Sequence, residues 1–260
     1  MSKERLSETG WQNKVVGVKR VEKINVPKEQ AAKLDGHIRK CFDLLLGAHT
    51  KYAILRPMLD NQKLLDRIGR ENKIAGFDTI RFTLYWNLVQ ELVKIVADDD
   101  CRVPSIYKFR KYFEDVKIKE FLKKKFSERP SSAKDSYSDE RKKFWKQIDE
   151  QDEEERKQLF DLRYGRVMKE SEELLNSKAL ANMAGIRDKI LAHNELKFSD
   201  GSYRFVEPKD FGLKYGDEKI VLEKTTKVFD DFHFLVTRIQ VDWNGLKAIT
   251  EHDADEFWKE

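Results

Sequence analysis

The stretch FDTIRFTLYWNLVQELVKIVAD, residues 77–98, decides the fold class. At about 100° per residue, Phe77, Ile80, Leu84, Leu88, Leu92 and Ile95 share one face of a helix. Phe82, Trp86, Val89, Val93 and Val96 cover much of the opposite side, and only a narrow arc near Thr83, Asn87, Gln90 and Lys94 is polar. A helix that is apolar on most sides is buried on most sides, so this segment is predicted to be central to a helical bundle. Arg81 and Glu91 fall inside its apolar arc, where a charge is costly unless paired.

Helical periodicity extends outward from this centre. Five prolines and 12 glycines in 260 residues suit a helical chain. Asn25-Val26-Pro27 reads as a helix start, followed by Leu34, Ile38, Cys41/Phe42 and Leu45 at helical spacing. A second helix is expected over about 48–70, with Gly76 as a break. Asp98-Asp99-Asp100 closes the central helix, and Pro104-Ser105 opens the next, expected over 105–126. SERPSSAKDSYS (127–138) is a polar loop. From 139 to 178 the pattern is helical and very charged, with Phe144, Trp145 and Ile148 as anchors of an arm. Residues 179–195 form another helix. Ser199-Asp200-Gly201 marks a turn, and 202–223 reads as short strands or irregular chain. Thr225 is the expected N-cap of a last helix over 226–247. The sequence therefore predicts one all-α domain over 1–260, an antiparallel bundle. Its appendages are a loose arm at 1–25, a charged arm at 127–158 and a small irregular or β insertion at 202–223.

Composition excludes several classes. No stretch approaches the roughly 18 apolar residues of a membrane span. The first residues, MSKERLSETGWQNK, contain no apolar core of a secretory signal. Cys41 and Cys101 are isolated thiols, which form neither a disulfide framework nor a CxxC site. A cytoplasmic, reducing setting is the expectation. Net charge is +4, with 51 basic residues set against 47 acidic ones. That permits nucleic-acid binding without arguing for it. KIKEFLKKKF (117–126) is basic and DEQDEEER (149–156) is acidic; solvated helix faces account for both.

The chemistry concentrates in RDKILAHNE, residues 187–195. On a helical wheel Arg187 falls in the middle of an apolar arc made by Met183, Ile186, Ile190, Leu180, Leu191 and Ala184. Asn194 falls next to it, and His193 lies at the edge of the arc. A guanidinium cannot shed its proton and must find acceptors. Glu91 on the central helix is one candidate, and a ligand phosphate is another. A structural reading also stands: an Arg187–Glu91 pair, with His193 complementing a helix C-terminus.

Arg187, the polar Asp188 and then His193 resemble the signature of the HEPN superfamily, helical-bundle proteins of prokaryotic conflict systems and RNA processing. The form R-D-K-x-x-A-H followed by Asn194-Glu195 looks most like the abortive-infection AbiU-type branch. GFDTIRF, the long apolar helix and ADDDCRVPSIYKF resemble the upstream part of that branch. The resemblance covers about residues 30–125 and 160–245, and leaves out 127–158 and 202–223. It implies a HEPN-like bundle and a metal-independent endoribonuclease acting as a homodimer, in the role of a toxin or phage-defence effector. In that chemistry a histidine near pKa 6.5 moves the 2′-hydroxyl or leaving-group proton. An arginine binds the charge of the phosphorane. His193 and Arg187 take these roles by resemblance, with Asp188 or Asn194 orienting the histidine and a 2′,3′-cyclic phosphate as product. On an ideal helix the pair stands about 9 Å apart along the axis and about 120° around it, so a dimer would bring two pairs to one cleft. The alternative is a catalytically silent HEPN-like dimeric binding or regulatory module. A third reading is an adaptor whose charged arm binds a protein partner, such as an antitoxin.

Other sites are weaker. His37, His49, His233 and His252 have no metal-ligand spacing, so neither a metal nor a cofactor is expected. No GxxxxGK[ST] or GxSxG element occurs. Trp86 and Trp145 read as packing anchors. Lys123, Lys124 and Lys125 are candidates to hold an RNA backbone.

Overall fold

The computed structural model describes residues 26–70, 73–100, 102–128, 139–192, 196–199, 202–205 and 208–259. The expected arm at 1–25 lies outside these residues, as do Cys101 and 129–138. The helices are α1 (Val26–Asp60), α2 (Gln62–Arg70), α3 (Ile74–Ala97), α4 (Ile106–Glu114), α5 (Val116–Ser127), α6 (Asp139–Leu175), α7 (Lys178–Ile186), α8 (Asp217–Thr237) and α9 (Trp243–Trp258). Arg187–Ala192 continues α7 with π winding, and Pro208–Phe211 is a 3-10 turn. Strands β1 (Leu196–Ser199) and β2 (Ser202–Phe205) form an antiparallel hairpin with Leu196 opposite Phe205. The molecule is an all-α bundle with this small β element.

The central helix behaves as its sequence demands. Tyr85, Leu88, Val89, Leu92, Val93, Ile95 and Val96 of α3 are buried in the main core. They meet Leu34, Ile38, Cys41 and Leu45 of α1 and the aromatic block Phe109, Phe113, Phe229 and Phe232 from α4 and α8. Phe113 and Phe232 lie 5.1 Å apart and Phe109 and Phe232 5.8 Å, in tilted and edge-on contacts. Burial in the main core is confined to the second two-thirds of α3. Ile80 and Phe82 near its start are about half exposed. Phe77 instead joins a satellite cluster with Met58 and Leu64, against which Trp258 packs.

Local signals explain most boundaries, including those that depart from expectation. The Ser105 hydroxyl accepts from Lys108 N and donates to Asp98 O, so it starts α4 and ties it to the end of α3. The expected single helix over 105–126 is two. Asp115 interrupts it and caps α5 by accepting from the N–H groups of Lys117 and Ile118. The expected boundary near 45–48 does not exist, since α1 runs unbroken to Asp60. The break falls at Asn61, whose side chain accepts from Leu64 N at the start of α2. Gly76 sits inside α3.

The C-terminal expectations shift most. The irregular segment begins earlier than 202, with the hairpin, and ends by 216. Thr225 is not a cap: it is buried in mid-helix and its hydroxyl donates to Val221 O. Helix α8 starts instead at Gly216, at φ 100°, where the Glu218 carboxylate accepts the Gly216 N–H. It stops at Arg238 in the left-handed region, and Asp242 caps a further helix, α9. The segment from Asp139 is helical, as expected of the charged arm.

Candidate active site

Helix α7 begins at Ser177, whose hydroxyl accepts from Leu180 N. Leu180, Met183 and Ile186 are its buried residues. Gly185 allows a close approach: a Cβ there would lie 2.8 Å from two ring carbons of Phe211 in the 3-10 turn. Two residues later the winding widens to π, and the Arg187 N–H reaches the carbonyls of both Ala184 and Met183. π-turns inside helices are rare and recur at functional sites. The π segment packs on α7 and α3.

Arg187 itself keeps α geometry, at φ −52° and ψ −49°, and the π winding affects the residues that follow it. The Arg187 side chain is 37% exposed and its Nε donates to Asp188 Oδ1 at 2.8 Å. No other partner of the guanidinium occurs among the described residues. The expected pair with Glu91 does not form. Glu91 faces α1 and accepts from Lys51 Nζ at 2.6 Å. The wheel also counted Ile190 and Leu191 in the apolar arc around Arg187, on α winding that in the structure gives way to π from Arg187 on. Asp188 is bonded to Arg187, so here it orients the arginine. His193 and Asn194 lie outside the described residues.

The lysine cluster is elsewhere. It sits on α5, which packs on α1, α4, α6 and α8. Lys123 Nζ donates to Asp161 at 2.6 Å, so it clamps α5 to α6. Lys124 lies 4.0 Å from Glu128. Lys125 is exposed and lines an open depression of about 720 Å³ with Arg39, Glu128, His233 and Arg238.

Of the remaining histidines, His49 is buried against Trp243, and its Nε2 lies 2.8 Å from the Thr226 hydroxyl. That hydroxyl already donates to Leu222 O, so Nε2 must carry the proton. Burial, with Lys247 nearby, pushes the His49 pKa down to about 4. No group of three or more metal-ligating side chains occurs among the described residues, and none of their helices is long and apolar enough to cross a membrane.

Three features escaped the sequence. They are the π-turn, the Gly185–Phe211 contact and the buried Asp231 described below. A glycine inside the apolar ANMAGI run was the one available sign of a close approach.

The class of protein is thus a helical bundle with an arginine presented at a π-turn just before a histidine in the sequence. The family model HEPN_AbiU2, described as AbiU2, matches residues 31–257, and the chain belongs to this family. Comparison with curated proteins and with solved structures gave no match.

Proposed function

We propose that the protein is a metal-independent endoribonuclease of HEPN type, with a role in abortive infection or as a toxin. Arg187 carries this reading. It is an exposed arginine in the family's motif, held at Nε by Asp188, with Nη1 and Nη2 free of other partners among the described residues. Two nitrogens in one plane suit two phosphoryl oxygens. In the reaction His193 takes the proton of the 2′-hydroxyl, whose oxygen attacks phosphorus. The 5′-oxygen leaves and takes a proton from a second acid, leaving a 2′,3′-cyclic phosphate. A homodimer supplies the second histidine. Asn194, the next residue in the sequence, or Asp188 is assigned the role of orienting the His193 ring. RNA is the substrate class, the cytoplasm the setting, and an antitoxin or partner protein the restraint.

The test is cleavage of cellular RNA in EDTA by wild type, Arg187→Ala, Arg187→Lys and His193→Ala, each first shown to be folded and of unchanged oligomeric state. Wild-type cleavage lost in both alanine variants supports the assignment. Activity retained in both would remove it, and an inert wild type would leave a binding module.

A further inference from the structure

The outer face of α4 carries an aromatic ring that packing does not account for. Phe109 and Phe113 fill the core from this helix, and Tyr112 packs against it. Tyr107 does not join that set. Instead the ammonium groups of Lys108 and Lys111 lie over its ring, 5.6 and 5.7 Å from the centroid. Lys111 also bonds Glu114 at 2.8 Å, whereas Lys108 makes no ion pair of that kind among the described residues and only lies near the Asp100 carboxylate.

The face continues onto α1. Tyr112 meets His37 edge-on at 6.2 Å. Lys33 and Lys40 flank His37 on the same stripe of α1, and both are exposed without an ion-pair partner among the described residues. Burial and Lys33 lower the His37 pKa from its ordinary value. The result is four lysines around aromatic rings, with Glu114 bonded to Lys111 and Asp100 near Lys108.

We propose that this α1–α4 face is a track for single-stranded nucleic acid, with one base stacked on Tyr107 and the backbone phosphates on Lys108, Lys33 and Lys40. Positive charge that follows a backbone, together with rings that accept any base, is the general solution to single-strand binding. A duplex hides its base faces and would gain nothing from the ring. An acidic peptide would use the lysines but not Tyr107. The track lies on other helices than the Arg187 segment, so strand held here need not be cut, and the proposal stands independently of the cleavage reading.

The experiment is fluorescence anisotropy of a labelled 2′-O-methyl oligouridylate, which lacks the attacking hydroxyl, with the full chain. Tyr107→Ala is expected to weaken binding about 5- to 150-fold, the range for losing one base stack. Tyr107→Phe should stay within about twofold. Each of Lys33→Ala, Lys40→Ala and Lys108→Ala should flatten the log–log salt dependence by about 0.7. Melting curves matching wild type are expected for all, since none of these side chains is in the core. The proposal is overturned if the wild type does not bind, if a duplex of equal length binds as well, or if Tyr107→Ala and Tyr107→Phe both bind as wild type.

Discussion

Two places in this bundle hold arginine against aspartate, and they use the pair in opposite ways. Between α6 and α8, Asp231 is 2% exposed and accepts from Arg163 Nη1 at 2.6 Å, from Arg166 Nε at 2.7 Å, and from Arg166 Nη2. One carboxylate there takes three charge-assisted bonds, and the ion pair Lys227–Glu170 lies about one turn along. At the π-turn, Arg187 pairs only with its neighbour Asp188 among the described residues, and both are open to solvent. A buried carboxylate must be satisfied by its own fold. An exposed guanidinium can hold donors in reserve for a ligand. Charge alone does not distinguish these two arginine sites; the partners among the described residues and the burial do.

The largest effect should come at the open pair. Arg187→Ala is expected to lower RNA cleavage by about 100- to 1,000-fold, the range for removing one transition-state donor. Its chemical denaturation midpoint should stay close to wild type. A destabilised variant would show instead that Arg187 belongs with the structural arginines.

The closed pair should show the reverse. Asp231→Ala is expected to cost about 2–3 kcal/mol in urea unfolding. That is less than the roughly 3–5 kcal/mol for a wholly buried pair, because the arginines left behind reach solvent. Unchanged stability would contradict the description of this seam as structural.

Gly185 lies between these extremes. Gly185→Ala places a methyl against the Phe211 ring, an overpacking cost of about 1–3 kcal/mol. Adding Phe211→Ala should recover part of that loss, which a double-mutant cycle would measure. Additive losses would mean that the two residues do not share the strain.

The smallest and most gradual effect is that of pH on His49. Its folded pKa of about 4 lies below the ordinary 6.5, so the unfolded chain binds more protons between those values. Stability from this residue is complete above about pH 6.5 and is lost as pH falls towards 4. The full loss is a few kcal/mol at most. His49→Gln should flatten the fall in stability over that window, and equal slopes in variant and wild type would rule out this source.

The fold was legible in the sequence where its cause is local or periodic. The apolar sweep of 77–98 gave the central helix, and Pro104-Ser105 gave the start of α4. Caps that depend on one side chain reaching its own backbone were harder to choose. Asn61 and Asp115 resemble many other polar residues, and Thr225 looked like a cap while lying in mid-helix. The motif residues were legible as residue types, but the setting of Arg187 was not. A wheel with fixed α periodicity cannot represent a π-turn.

The sequence by itself determined the helical class, the buried helix and the residues of the family motif, because spacing along one chain encodes a face. Only the tertiary structure decided which charges meet. Glu91 finds Lys51, 40 residues away in sequence, and Asp231 finds arginines 65 and 68 residues away. Arg187, at the end of α7, pairs only with its sequence neighbour Asp188 among the described residues. Ion pairing depends on distance and burial in three dimensions, and those are set by how the helices pack.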